Sequence, residues 1–122
     1  FLALTWQLIR RKPDVLFLHG QWAGPVGALA GALAGVKRMV YVCHFPSFYT
    51  DWDLFRVVRN RIAEAIPCRF ATKVVVLSEG NYYQYLVRRL ISENQAELIR
   101  NAVPPDEVIS ETMRRQIREE YH

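Results

Sequence analysis

The sequence is poor in the residues from which disulfide frameworks and metal centres are built. Its 122 residues include two cysteines and three histidines. Cys43 and Cys68 lie far apart and lack the spacing of metal ligands. We therefore interpret them as reduced thiols, buried as small hydrophobic side chains in a cytosolic protein. No cluster of histidine, cysteine and aspartate predicts a metal site.

Glycine-rich phosphate loops and long apolar runs are also missing. The chain has neither the Gly-x-Gly-x-x-Gly fingerprint of dinucleotide-binding domains nor the Gly-x-x-x-x-Gly-Lys-Ser/Thr sequence of a P-loop. The longest apolar stretch, residues 25–36, holds about a dozen residues, whereas a membrane-spanning helix needs roughly 20. We predict a short helix there, whose Gly27 and Gly31 let it lie close to a sheet.

The composition indicates a folded domain with mildly basic character. Hydrophobic residues make up 51% of the chain, which excludes intrinsic disorder as a class. The formal net charge of +4 suits a phosphate-bearing ligand or an anionic membrane surface, with ordinary surface charge as the alternative. Nucleic acid is not expected as a partner, because the basic residues are scattered and no binding motif occurs.

Four apolar segments of strand length each run into polar residues. Stretches that read as helices separate them, and this βαβαβαβ pattern predicts an α/β fold. We expect a Rossmann-like parallel sheet with helices on both faces. In such sheets, ligands bind in the crevice beyond the carboxyl ends of the strands. The polar residues that follow the segments are His19, His44, Ser78 with Glu79, and Arg100 with Asn101.

Of these residues, His44 is the leading catalytic candidate. An imidazole at a strand end can hydrogen-bond a sugar hydroxyl or a phosphate, or transfer a proton near neutral pH. His19 and Gly20 follow the preceding strand, where glycine lets backbone N–H groups approach a ligand. A histidine that only ties its loop to the backbone and a tight strand-to-helix turn are the structural alternatives.

Ser78, Glu79 and Asn101 are candidate binding residues at the same edge. Ser78 also reads as a helix cap, Glu79 as a carboxylate at a helix N-terminus, and Asn101 as the start of a turn. A hydrolase is disfavoured, because residues 76–80 lack the first glycine of the Gly-x-Ser-x-Gly nucleophile elbow.

An aromatic and basic segment follows His44. Phe45 opens a run of aromatic side chains that can form a sugar or lipid platform, or plug the space under a loop. In the helix that follows, we expect Leu54, Val58 and Ile62 to face the core with Ala65. The nearby Arg56, Arg59 and Arg61 suit an anionic membrane surface, with a solvated basic face as the alternative.

Read together, four stretches resemble the N-terminal domain of family 4 glycosyltransferases of the GT-B type. They are Lys-Pro-Asp-Val-Leu-Phe-Leu-His-Gly at 12–20, Met-Val-Tyr-Val-Cys-His-Phe-Pro at 39–46, Ala-Thr-Lys-Val-Val-Val-Leu-Ser-Glu at 71–79, and Leu-Ile-Arg-Asn-Ala-Val at 98–103. The His-Phe-Pro form is similar to that of mannosyltransferases that act on lipid-linked oligosaccharides. Thr72 stands where the family usually has aspartate, and Ala102 where it usually has glycine.

The resemblance implies half of a GT-B architecture in a retaining glycosyltransferase. Such an enzyme transfers a hexose from a nucleotide-sugar to a glycan or lipid-linked acceptor, without a cofactor or an essential metal. His44 would lie near the transferred sugar, and the loops at Gly20 and Ser78 would border the acceptor cleft. Residues 1–103 would be a partial, acceptor-side Rossmann-like domain.

The same resemblance leads to further expectations about the rest of the protein. Residues 104–122 would form a linker and helix leading towards a C-terminal nucleotide-sugar domain, without which the fragment should be inactive. We expect a cytoplasmic protein that can sit peripherally at a membrane. The alternatives are a non-catalytic α/β module that binds a nucleotide or sugar, and an interaction protein that uses its terminal helix and the face around residues 56–61.

Overall fold

The fold is a parallel β-sheet with connecting helices. The structure is a computed structural model that describes residues 1–44, 53–101 and 111–120, with the side chains of 111–114 and 117 left out. In chain order the elements are α1 (Leu2–Arg11), β1 (Leu16–His19), α2 (Ala23–Leu33), β2 (Met39–Cys43), α3 (Leu54–Phe70), β3 (Lys73–Val76), α4 (Glu79–Val87), β4 (Ala96–Leu98) and α5 (Glu111–Glu120).

All four strands run in the same direction. Their order in the sheet is β1-β2-β3-β4, with Leu16 opposite Met39, Val40 opposite Lys73, and Val74 opposite Ala96. This arrangement confirms the Rossmann-like α/β fold predicted from the alternating pattern. It also means that the residues after each strand gather at one edge of the sheet.

The helices that cross between the strands, α2, α3 and α4, lie on one face of the sheet, the face of Tyr41 and Cys43. Side chains of β2 alternate accordingly, because Met39, Tyr41 and Cys43 are buried whereas Val40 and Val42 are only half-buried. Phe17, on the opposite face of β1, is 61% exposed. The reason is topological. Each new strand is added on the same side of the preceding one, so right-handed crossovers place all the connecting helices on one face of the sheet.

Helix α2 lies unusually close to the sheet, as its glycines predicted. A Cβ atom at Gly27 would come within 2.5 Å of Leu18 Cδ2, and one at Gly31 within 2.8 Å of Met39 Sδ. Gly35 has a positive φ of 74° and ends the helix, where the N–H of Val36 donates to the Gly31 carbonyl. The glycines therefore permit a backbone approach that a larger residue would block.

Helix α3 faces the core with polar residues, contrary to our expectation. Leu54 and Ile62, which we expected inside, are 76% and 57% exposed. Asn60 and Glu64 are buried instead, at 3% and 1%. Hydrophobic spacing gave the wrong face because Glu64 finds hydrogen-bond donors inside the domain, in Tyr41 and Tyr85. The Asn60 side chain accepts from its neighbour Arg59.

Candidate functional site

The carboxyl edge of the sheet brings His19 and His44 together. His19 ends β1 and His44 follows β2, the neighbouring strand. The Nδ1 atom of His19 lies 3.3 Å from the Nε2 atom of His44, and the ring planes are tilted by 30°. One ring donates a hydrogen bond to the other, so one nitrogen of each ring is engaged. Both side chains are exposed, which places the pair on the open edge where a ligand can reach it.

Gly20 turns the chain from β1 into α2 beside this pair. Its φ is +75°, a conformation that favours glycine, and no heavy atom lies within 4 Å of where a Cβ would be. Its carbonyl accepts the N–H of Gly24, which starts the helix. The open space above Gly20 leaves room for a ligand to approach the backbone.

A second polar group follows β3 and β4 at the same edge. Ser78 caps α4, where its Oγ accepts the N–H of Asn81 at 3.2 Å. Glu79, in the first turn, forms an ion pair with Arg100, and both side chains are largely exposed. Asn101 is exposed next to Arg100. The edge therefore carries an imidazole pair after β1 and β2, and a carboxylate–guanidinium pair after β3 and β4.

A buried polar cluster lies behind the histidine pair. The hydroxyl of Tyr41 donates to Glu64 Oε1 at 2.8 Å, and the hydroxyl of Tyr85 also donates to Glu64. The Tyr85 oxygen lies 2.7 Å from Cys43 Sγ. The Tyr85 hydroxyl is therefore placed to donate its hydrogen bond to either Glu64 or Cys43 Sγ. The cluster links β2, α3 and α4 immediately before His44.

Burial in this cluster raises several pKa values. The pKa of Cys43 is raised from 9.0 to about 12, mainly by desolvation; the hydrogen bond with Tyr85 opposes this rise and the nearby Glu64 adds to it. The pKa values of Tyr41 and Tyr85 are raised for the same two reasons. The Cys43 thiol is therefore protonated at neutral pH and serves as a packing group with a weak hydrogen-bond donor.

The sequence predicted that these residues lie at the carboxyl edge of the sheet, but it did not predict which side chains pair with them. The histidines, Ser78 and Glu79 were all predicted at this edge, and the structure places them there. The pairing of Glu79 with Arg100 and the burial of Glu64 were not foreseen. The glutamate at helical spacing from Asn60 was the available signal. Phe45 and the rest of the aromatic run lie outside the described residues, as do 102–110 and 121–122.

A separate pocket lies at the opposite edge of the sheet. It has a volume of about 350 Å³ between the C-terminal ends of α1 and α2, and its lining includes Lys12, Gly35 and Arg38. We place the candidate site at the carboxyl edge instead, because polar side chains follow the ends of four successive strands there and form two pairs. None of the helices that the structure describes has the length and apolar run required to cross a bilayer.

A parallel α/β sheet with polar groups gathered at its carboxyl edge defines the class of Rossmann-like ligand-binding domains. The family model of Glycosyltransferase Family 4 matches residues 1–107 of the chain. The chain belongs to this family, which confirms the resemblance carried by the four strand-end stretches. A comparison with curated proteins finds no match.

Proposed function

We propose that the chain is the acceptor-side part of a retaining GT-B glycosyltransferase. The enzyme would transfer a hexose from a nucleotide-sugar to a glycan or lipid-linked acceptor, with no essential metal. The match to Glycosyltransferase Family 4 over residues 1–107 supports transfer as the reaction class. The nucleotide-sugar would be held largely by a second domain, which would meet this edge of the sheet after the linker at residues 104–122.

The observation that carries this proposal is the contact between His19 and His44. The hydrogen bond between the two rings fixes the orientation of the His44 imidazole at the open edge. His44 would then donate a hydrogen bond to a hydroxyl of the transferred sugar. His19 would act as a positioning residue in addition to lining the site, and Gly20 would let the acceptor approach.

The remaining edge residues would bind the acceptor. The Glu79 carboxylate and the Arg100 guanidinium offer acceptors and donors to sugar hydroxyls, and their ion pair holds them in place. Ser78 and Asn101 border the same space, and Phe45 would add a hydrophobic surface. These assignments follow from position at the strand ends, and each side chain is suited to a polyhydroxylated ligand.

The rival proposal is a module that binds a nucleotide or sugar without turnover. We would distinguish the two with the complete protein that contains this domain, incubated with a panel of nucleotide-sugars and with glycan and lipid-linked acceptors. The transferase predicts a glycosylated product whose anomeric configuration, followed by proton NMR, matches that of the donor. Binding detected by calorimetry with no product from any pair would support the module, and an inverted product would contradict the retaining mechanism.

A further inference from the structure

Helices α2 and α3 lie against the sheet and α1 packs against α2, and this helix layer of α1, α2 and α3 carries many large apolar side chains that are exposed. α1 packs against α2 and α2 against α3, so the three helices are neighbours. On α2 the buried glycines face the sheet, while Leu33, 68% exposed, lies among the outward residues. On α3, Phe55 is 74% exposed and Ile62 57%. On α1, Leu2 is 81% exposed and Trp6 57%.

The exposed charges on this layer are all of one sign. The three helices contain six arginines, which are Arg10, Arg11, Arg56, Arg59, Arg61 and Arg69, and a single acidic residue, Glu64. Glu64 is buried, with 1% of its surface exposed. Acidic residues are common in the rest of the chain, which has 12 aspartates and glutamates in total. Basic charge is therefore concentrated on these three helices, apart from exposed acidic residues.

Arginines and aromatic rings on this layer lie next to each other. The guanidinium carbon of Arg10 lies 4.5 Å from the centre of the Trp6 ring, and that of Arg59 lies 5.9 Å from the centre of the Trp22 ring. Trp22 is 71% exposed. Tryptophan with adjacent arginine suits the boundary between lipid headgroups and acyl chains, where a ring is half-immersed and a cation meets phosphate.

We propose that the outer surface of α1, α2 and α3 docks on a bilayer that contains anionic lipids. Exposed apolar patches of this extent on soluble domains mark interaction surfaces. The absence of exposed acidic residues on the three helices favours a negatively charged partner, and the apolar side chains between the arginines favour lipid over a polar polyanion. Asp53, which precedes α3, moderates this charge only at the border, where its carboxylate lies 3.9 Å from Arg56.

This contact would also place the candidate site close to a membrane-borne acceptor. The histidine pair lies at the edge of the sheet that the same helices cover. A domain resting on its helix layer would hold that edge near the headgroups, where a lipid-linked acceptor presents its sugar. The lipid contact itself needs no sugar transfer, so the two proposals can fail separately.

Vesicle flotation of the 122-residue chain tests the proposal. Phosphatidylcholine vesicles that contain about 30 mol% phosphatidylglycerol provide the anionic surface, and vesicles of pure phosphatidylcholine provide the neutral one. We expect the chain to float with anionic vesicles and much less with neutral ones. The triple variant Arg56→Glu, Arg59→Glu, Arg61→Glu should lower the bound fraction at least about tenfold, because each basic residue near the surface contributes to attraction.

A matched control carries the same change of charge elsewhere. Lys73→Glu, Arg89→Glu and Arg118→Glu are exposed positions outside the three helices, and this variant should retain flotation within about twofold, since charge off the contact is screened over a Debye length. Circular dichroism confirms that both variants fold. Equal loss in both variants, equal flotation with neutral vesicles, or no flotation at low salt would overturn the proposal. So would light scattering that shows a dimer which Phe55→Ser converts to monomer, since a second copy would then cover the surface.

Discussion

At the scale of single residues, Glu64 has the greatest structural consequence. It is 1% exposed and accepts hydrogen bonds from two tyrosines that belong to different elements. A buried carboxylate is costly unless it is well partnered, and Tyr41 and Tyr85 provide that partnership here. Because Cys43 joins the same chain of hydrogen bonds, the cluster fixes the end of β2 from which His44 projects.

Replacing Glu64 should therefore destabilise the domain more than replacing one of its partners. Glu64→Leu leaves two buried hydroxyls without their acceptor, and we expect it to lower the free energy of unfolding by about 2–4 kcal/mol. Tyr41→Phe, the matched control, removes one donor and should cost about 1 kcal/mol. Urea denaturation at pH 7, followed by circular dichroism, measures both. Equal losses would show that the cluster is not organised around the carboxylate.

Stability should also fall at alkaline pH. The pKa of Cys43 rises from 9.0 to about 12 on burial, so above pH 9 the unfolded chain loses the thiol proton that the folded chain keeps. The contribution of this thiol to the free energy of unfolding is fully present below pH 9 and is lost as the pH rises towards 12. The free energy of unfolding then falls by at most about 1.4 kcal/mol per pH unit for one group. Cys68, whose pKa is also raised by burial, adds to the same trend.

Denaturation midpoints measured between pH 7 and 11 would record this decline. In the variant Cys43→Ala, the free energy of unfolding should fall less steeply with pH above pH 9, by up to about 1.4 kcal/mol per pH unit, because one titrating group is gone. A profile that stays flat to pH 11 in the unsubstituted chain would contradict the burial of these thiols.

At the scale of elements, sequence patterns succeeded where one physical effect dominated. The strands were predictable because each is an apolar run between turn residues, and α2 because its glycines and alanines suit close packing. α3 was not, because its sequence contains two stripes at helical spacing. Leu54, Val58 and Ile62 read as a core face, yet the buried face is that of Asn60 and Glu64. The hydrogen bonds of Glu64 to tyrosines on β2 and α4 favour burial of this face, and spacing alone does not encode them.

The close approach of α2 gives a prediction for its glycines. In Gly27→Ala the new Cβ would come within 2.5 Å of Leu18 Cδ2, and we expect a loss of about 1–3 kcal/mol from overpacking, partly offset by better helix propensity. Gly80→Ala in α4 has no neighbour within 4 Å of its Cβ position and should be stabilising by up to about 1 kcal/mol. Thermal unfolding of both variants checks the contrast, which would fail if Gly27→Ala were as stable as Gly80→Ala.

At the scale of the whole molecule, the order of the strands determines where function can reside. Four parallel strands in sequence order present their carboxyl ends side by side, so residues far apart in the chain become neighbours. That convergence could be predicted from the sequence. The identity of the pairs could not, because the contacts of His19 with His44 and of Glu79 with Arg100 depend on register and side-chain reach.

The single-sided helix layer is the other whole-molecule feature. It leaves one sheet face with half-exposed side chains and gives the opposite side of the domain an outer surface rich in arginine and large apolar residues. The two ends of the sheet also differ, since the pocket at Lys12 and Arg38 lies far from the histidines. These asymmetries provide internal controls, because a charge removed from one edge should not affect chemistry at the other.

The most direct measurement is kcat/KM of the complete glycosyltransferase with His44→Ala, set beside Arg38→Ala at the opposite edge. If the carboxyl ends of the strands form the working site, His44→Ala should lower kcat/KM by at least about 100-fold, through loss of a group that acts on the reacting sugar. Arg38→Ala should stay within about twofold of the unsubstituted enzyme, as expected for an exposed residue away from the site. Unchanged turnover in His44→Ala, or equal losses in both variants, would contradict the account.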